Sequence, residues 1–230
     1  MRWRLWAVLA AALAAFACGG SASSTTTATT VPPSGAPSPA QAVAQWLDFL
    51  AADDYVSTAR LVPDGDLALL IGVENSYSAE AAASLLVDGI PDEVRAAWWR
   101  SFVRGFRDFT GEELARLEVD EVEEFDSDGR GYALVEVGFG DRAGSTSILT
   151  QRRSEGRWWV DLLGTVGPGL ARPLREWVEA IPDQGAGATV RAALGDAAPS
   201  LRVALRHPPQ EGLPFSARRD LEILIRELEG

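Results

Sequence analysis

The spacing of apolar and polar residues changes period twice along this chain, and each change marks a different kind of structure. In "PAQAVAQWLDFLAADDYVSTARL" (Pro39 to Leu61), Val43, Trp46, Leu47 and Leu50 recur at helical spacing, Asp53-Asp54 interrupts, and Tyr55, Val56 and Leu61 resume a second short helix. "SAEAAASLLVDGI" reads as a helix with Ser78 as N-cap and Glu80 in its first turn, closing near Gly89. Pro91 opens a longer helix. Trp99, Phe102, Val103, Phe106 and Phe109 form its apolar stripe, while Arg100, Arg104 and Arg107 line a side that meets solvent or a negative partner.

From Leu114 the period becomes strand-like, with turns at even spacing. Four strands read out: "LARLEVDEVEEF", "RGYALVEVGF", "STSILTQRR" and "RWWVDLL". Their connectors are Asp126 to Gly129, Gly140 to Gly144 and Ser154 to Gly156, rich in the Gly, Asp and Ser of tight turns, so the strands are expected to form an antiparallel meander. After Gly164 helical spacing returns over Leu170 to Ile181, over Thr189 to His207 beyond a Gly-rich break, and from Ser216. In the last segment Leu221, Leu224, Ile225 and Leu228 share a face that must bury itself against something. Helices, then a sheet of consecutive strands, is an α+β order.

The start of the chain has another logic. Arg2 and Arg4 precede an uncharged run from Leu5 to Phe16, too short for the roughly 20 apolar residues of a spanning helix. The pattern is that of an export signal over residues 1–17. Ala15-Phe16-Ala17 fits its cleavage rule and leaves Cys18, the only cysteine, as the first mature residue. A cysteine there resembles the bacterial lipobox, although Ala15 stands where that pattern usually has Leu. The resemblance implies lipidation of Cys18, with acyl chains such as palmitate holding an exported protein on the outer side of the cell membrane. The alternative is a secreted protein with a stray thiol. Residues 18–39 form a Ser/Thr/Pro-rich linker expected to stay disordered, spanning roughly 25 Å as a coil.

"WLDFLAADDYVSTARLVPDG" and "EGRWWVDLL" are similar to the opening and the last strand of the nuclear transport factor 2-like superfamily, the cone-shaped fold shared with ketosteroid isomerase. The resemblance covers about Pro39 to Leu163. It implies N-terminal helices packed on a curved antiparallel four-stranded meander, with the domain over residues 40–165 and a helical C-terminal extension over residues 166–230. Enzymes, ligand carriers and interaction modules share that fold, so it selects no function.

Charge narrows the partners. Loss of Arg2 and Arg4 with the signal moves the formal charge from -12 to -14, and every cation is Arg. Such a surface repels phosphate backbones and anionic headgroups, which disfavours nucleic acid and leaves membrane attachment to the lipid.

The chemistry-bearing residues are few. His207, the single histidine, lies on the rim of a Pro-rich loop and lacks an orienting partner. No HExxH motif or second cysteine exists for a histidine-based zinc site or a Cys/His nucleophile, and no cofactor motif survives inspection. "DSDGRG" at Asp126 imitates an EF-hand loop, but Arg130 and Val137 stand where carboxylates are needed. "GAGATV" at Gly185 mimics a dinucleotide fingerprint with no strand before it. The nine carboxylates of Glu112 to Asp128 read as the guard of an edge strand rather than a cation surface.

Two features remain. The pairs Trp98-Trp99 and Trp158-Trp159 either fill the core or line a pocket for a small apolar ligand. Asp161, on the same strand face as Trp159, becomes an acid or base if that face is apolar, or else hydrogen-bonds a loop. Ketosteroid isomerase uses such carboxyls with a tyrosine donor; no tyrosine of this sequence is assigned to that donor. The ligand-pocket candidates are therefore Trp98, Trp99, Trp159 and Asp161, with Asp161 as the catalytic candidate. The reading is a non-catalytic binding or accessory module of the cell envelope. An isomerase- or lyase-type enzyme and a structural partner of an envelope protein complex are the alternatives.

Overall fold

Helix α1 (Pro39–Ala51) begins where the Ser38 hydroxyl accepts a hydrogen bond from the Gln41 N–H at 3.3 Å, with Pro39 at the first helical position. The computed structural model describes residues 34–139, 145–209 and 213–229. The export signal, Cys18 and the Gly140 to Gly144 connector therefore lie outside the described residues.

Gly35 and Ala36, expected to belong to a disordered linker, are packed into the folded domain. Gly35 N–H donates to the Arg60 carbonyl, Ala36 is fully buried and bridged to Trp158, and Arg157 hydrogen-bonds the Gly35 carbonyl. The second helix expected after α1 is a single 3₁₀ turn, Ser57–Arg60, cut short by the restriction Pro63 places on the residue before it. Beyond that proline comes an unforeseen helix, α2 (Asp64–Glu74), in which every residue from Asp66 to Val73 is buried. A helix that is apolar all round carries no stripe and belongs in the core.

Helices α3 (Ala79–Val87) and α4 (Asp92–Thr110) follow as the spacing predicts. The Ser78 hydroxyl accepts from the Ala81 N–H, and Gly111 ends α4 in the left-handed conformation. Strands β1 (Glu118–Ser127), β2 (Arg130–Gly138), β3 (Ser145–Arg152) and β4 (Trp158–Val160) pair antiparallel in that order, and the Ala36 bridge extends the open sheet beyond β4. The acidic strand β1 is the opposite edge, where like-charged side chains discourage pairing with another chain. Asp128 and Gly129, with φ of 53° and 74°, make the two-residue β1–β2 turn that the strand twist favours. The EF-hand imitation is thus a hairpin.

The last strand is shorter than the sequence suggests. Pairing stops at Val160 because Asp161 caps a short helix, α5 (Leu162–Val166). Helices α6 (Ala171–Ala180), α7 (Ala186–Arg206) and α8 (Phe215–Glu229) complete the chain. The glycines of "GAGATV" open α7, with no strand before them.

Alternation gives the sheet two dressed faces. Ala133, Val135, Val137, Trp158 and Val160 belong to the main core, and α1 packs against all four strands. Tyr132 and Leu149 pack with Val203 of α7 on the other side. Leu174 and Trp177 of α6, Val190 and Leu201 of α7, and Leu221, Leu224 and Ile225 of α8 join the same core as α1 to α4. The C-terminal helices therefore pack on their own chain, α8 against α6 and α7. No described helix is long and apolar enough to cross a membrane.

Candidate functional site

A cleft of about 720 Å³ opens between the first turns of α2, the β1–β2 hairpin, the end of β3 and the middle of α7. Small residues make the room. Ala193 and Ala197 form the α7 wall, and glycines 129 and 131 thin the hairpin. A Cβ on Gly131 would lie 2.8 Å from the Arg152 guanidinium, which would then have to shift from its place across the hairpin.

Asp66 lines this cleft and is only 9% exposed. It projects from α2 toward the start of α5, where the Leu163 and Leu162 N–H groups and Arg153 favour its charged form. They are outweighed: burial, then the charge of Asp161, pushes the Asp66 carboxyl up to about 7.

Asp161 lies behind it, 3% exposed. Its Oδ1 accepts from the Gly164 N–H at 2.8 Å, the N-cap bond that starts α5. Its Oδ2 makes no hydrogen bond among the described residues. Burial raises this carboxyl too, opposed by the Ser200 hydroxyl, the Gly164 N–H, Arg153 and Arg130. The pair is one titrating unit in which a neutral carboxyl is the low-energy choice, since two adjacent buried charges are costly.

A polar chain runs from the pair to the cleft rim. The hydroxyl of Ser200, on α7, neighbours both Asp161 and the phenol of Tyr132, whose pKa is raised by burial and by Asp161. Gln151 Nε2 donates to Tyr132 Oη at 3.2 Å, and Arg153 Nε donates to Gln151 Oε1 at 3.2 Å. Arg153 lies over the Trp159 ring at 6.0 Å, and its Nη2 stands 4.0 Å from Asp66 Oδ1, beyond hydrogen-bond range.

The tryptophans named from sequence are divided among three places. Trp98 and Trp99 meet edge to face at 4.7 Å, packed with Trp46 and Phe102, and Trp98 Nε1 donates to Glu74 at 2.7 Å. Trp158 is buried beneath Arg152. Trp159 lies on the other sheet face, half-buried against Gly35, where a Cβ would come within 2.7 Å of its Nε1. None of the four lines the cleft. Of the sequence candidates, only Asp161 reaches the polar cluster. Asp66, Tyr132, Gln151, Arg153 and Ser200 are residues the sequence reading did not select; the one available signal was a carboxylate opening the otherwise apolar run "DLALLIGV".

His207 caps α7 and stacks on Phe125 with ring centroids 4.3 Å apart. Among the described residues no three His, Cys, Asp or Glu side chains converge as metal ligands. The class defined by these features is an α+β domain with an open antiparallel sheet, a helical C-terminal part and a polar cleft lined by Asp66, with Asp161 buried behind it. No known protein family, curated protein or solved structure matches the chain.

Proposed function

We propose that this chain is an exported protein, anchored through a lipidated Cys18, whose folded part is a non-catalytic ligand-binding module of the cell envelope. In this reading the sheet with α1 is a variant of the nuclear transport factor 2-like cone, enlarged by the C-terminal helices. The observation that carries the binding function is the cleft, whose volume falls within the range of small-molecule sites and whose walls converge several polar groups on one space. Those walls favour a polar ligand over the apolar one that the tryptophans suggest.

A thermal-shift screen tests the module, because a ligand selective for the folded state raises its apparent stability. Saturable stabilisation abolished by Ser200→Trp, which fills the cleft, is the expected result; stabilisation by no compound overturns it. The anchor is tested separately. Cys18→Ala should release the protein from membranes, and a wild-type N-terminus without acyl mass overturns the lipoprotein reading. Stable attachment needs more than one acyl chain.

The raised Asp66–Asp161 pair beside Tyr132 favours one second reading, an acid/base enzyme acting on a small molecule. An activity lost in both Asp66→Asn and Asp161→Asn with the fold intact would bring it to the front.

A further inference from the structure

The cleft differs in charge from the rest of the molecule. In a chain of formal charge -12, its lining brings together Arg130, Arg152 and Arg153 against Asp66 and Asp196. Arg152 is partly committed, 3.5 Å from Asp126 and over the Trp158 ring. Arg153 is less so. Its ring contact and its single bond to Gln151 hold the guanidinium in place, and its Nη2 pairs with Asp66 only loosely, at 4.0 Å. A guanidinium pre-oriented by packing, whose one ion pair is too long for a hydrogen bond, is suited to a planar or tetrahedral oxyanion, which it can grip through two N–H donors. The buried floor below offers the Ser200 hydroxyl and the Asp66 carboxyl to a neutral polar group on the same ligand.

We infer that the cleft binds a small oxyanion ligand, a carboxylate or a phosphate, held at the rim by Arg153 and Arg130 and reached at the floor by Ser200 and Asp66. This inference rests on the cleft being a ligand site and adds the class of ligand. It also accounts for a cationic site in an acidic protein: the arginines concentrate an anion where the surrounding field disfavours one, so that only a ligand small enough to enter gains their full attraction. Large polyanions meet the acidic surface first.

The test is calorimetric titration of the purified chain at constant ionic strength with three probes: succinate, inorganic phosphate, and the neutral isostere succinamide. Saturable binding of at least one anion, none of succinamide, and a loss of about tenfold or more in affinity for Arg153→Gln are expected. Arg153 is 42% exposed in its side chain, so its replacement should leave folding intact, to be verified by circular dichroism. Arg172→Gln, on the solvent face of α6 and paired with Glu176, removes the same charge elsewhere and should change nothing. Equal loss in the two arginine variants, or no saturable anion binding, overturns the oxyanion assignment. Binding of succinamide with Arg153→Gln silent also overturns it, yet leaves the ligand-site reading standing. If anionic, neutral and cationic probes alike fail to bind or to shift the melting temperature, the ligand site falls with it.

Discussion

Asp66 and Asp161 address the same helix end: Asp161 Oδ1 accepts from the Gly164 N–H, while Asp66 faces the N–H groups of Leu162 and Leu163. Two carboxyls from distant parts of the chain thus share the positive end of α5. The backbone donors favour ionisation, but burial and mutual repulsion win for Asp66, and the consequences can be measured.

The first is a pH dependence of stability. Folded Asp66 keeps its proton up to about 7, whereas an unfolded aspartate releases it near 3.9. Between those values the native state binds more protons, so this group's contribution is fully present below about pH 4 and declines as pH rises to about 7. Urea unfolding across that window should show a loss on the order of a few kcal/mol that Asp66→Asn removes. Parallel profiles for the two proteins would count against a raised Asp66.

At position 161 the cap and the charge can be separated. Asp161→Ala deprives the Gly164 N–H of its acceptor and should cost about 1–2 kcal/mol, as lost N-caps do. Asp161→Asn removes the same buried charge but keeps an acceptor for the Gly164 N–H, so it should cost less at every pH. Both should lower the Asp66 pKa, readable by NMR titration, because the charge of Asp161 is part of what raises it.

Gly72 on α2 lies under the Trp177 ring, where a new Cβ would come within 2.8 Å. Trp177 is held in place, its Nε1 donating to the Tyr77 carbonyl at 2.9 Å. Gly72→Ala should therefore destabilise by about 1–3 kcal/mol through overpacking. In a Trp177→Leu background the penalty should shrink, and a double-mutant cycle measures that coupling.

The C-terminal helix offers a direct comparison. Leu224 is fully buried in the common core, while Glu227, one turn on, is exposed. Leu224→Ala should cost about 2–5 kcal/mol in denaturant unfolding, and Glu227→Ala should stay within about 0.5 kcal/mol. A silent Leu224→Ala would mean that α8 does not stabilise the domain.

Local patterns were enough for much of the framework. Ser38 and Ser78 cap helices because their hydroxyls accept the bonds that the first turns leave open, and the α8 stripe calls for a packing surface wherever the helix lands. The Asp128-Gly129 turn follows from the φ values its residues tolerate, and with it the pairing of β1 and β2. These features depend on neighbours within a few residues, so the sequence alone determines them. Helix α2 escaped that logic: a helix buried on every side shows no period, and the residue that floors the cleft sits on it. The site was hidden for the same kind of reason. Asp66, Tyr132, Gln151, Arg153, Asp161 and Ser200 come from α2, β2, the end of β3, the cap of α5 and α7, and their meeting depends on which sheet face α7 covers. Long-range packing decides that. It also pushes the pKa of an ordinary aspartate upward, because desolvation and the charge of Asp161 exist only once the chain has closed around both.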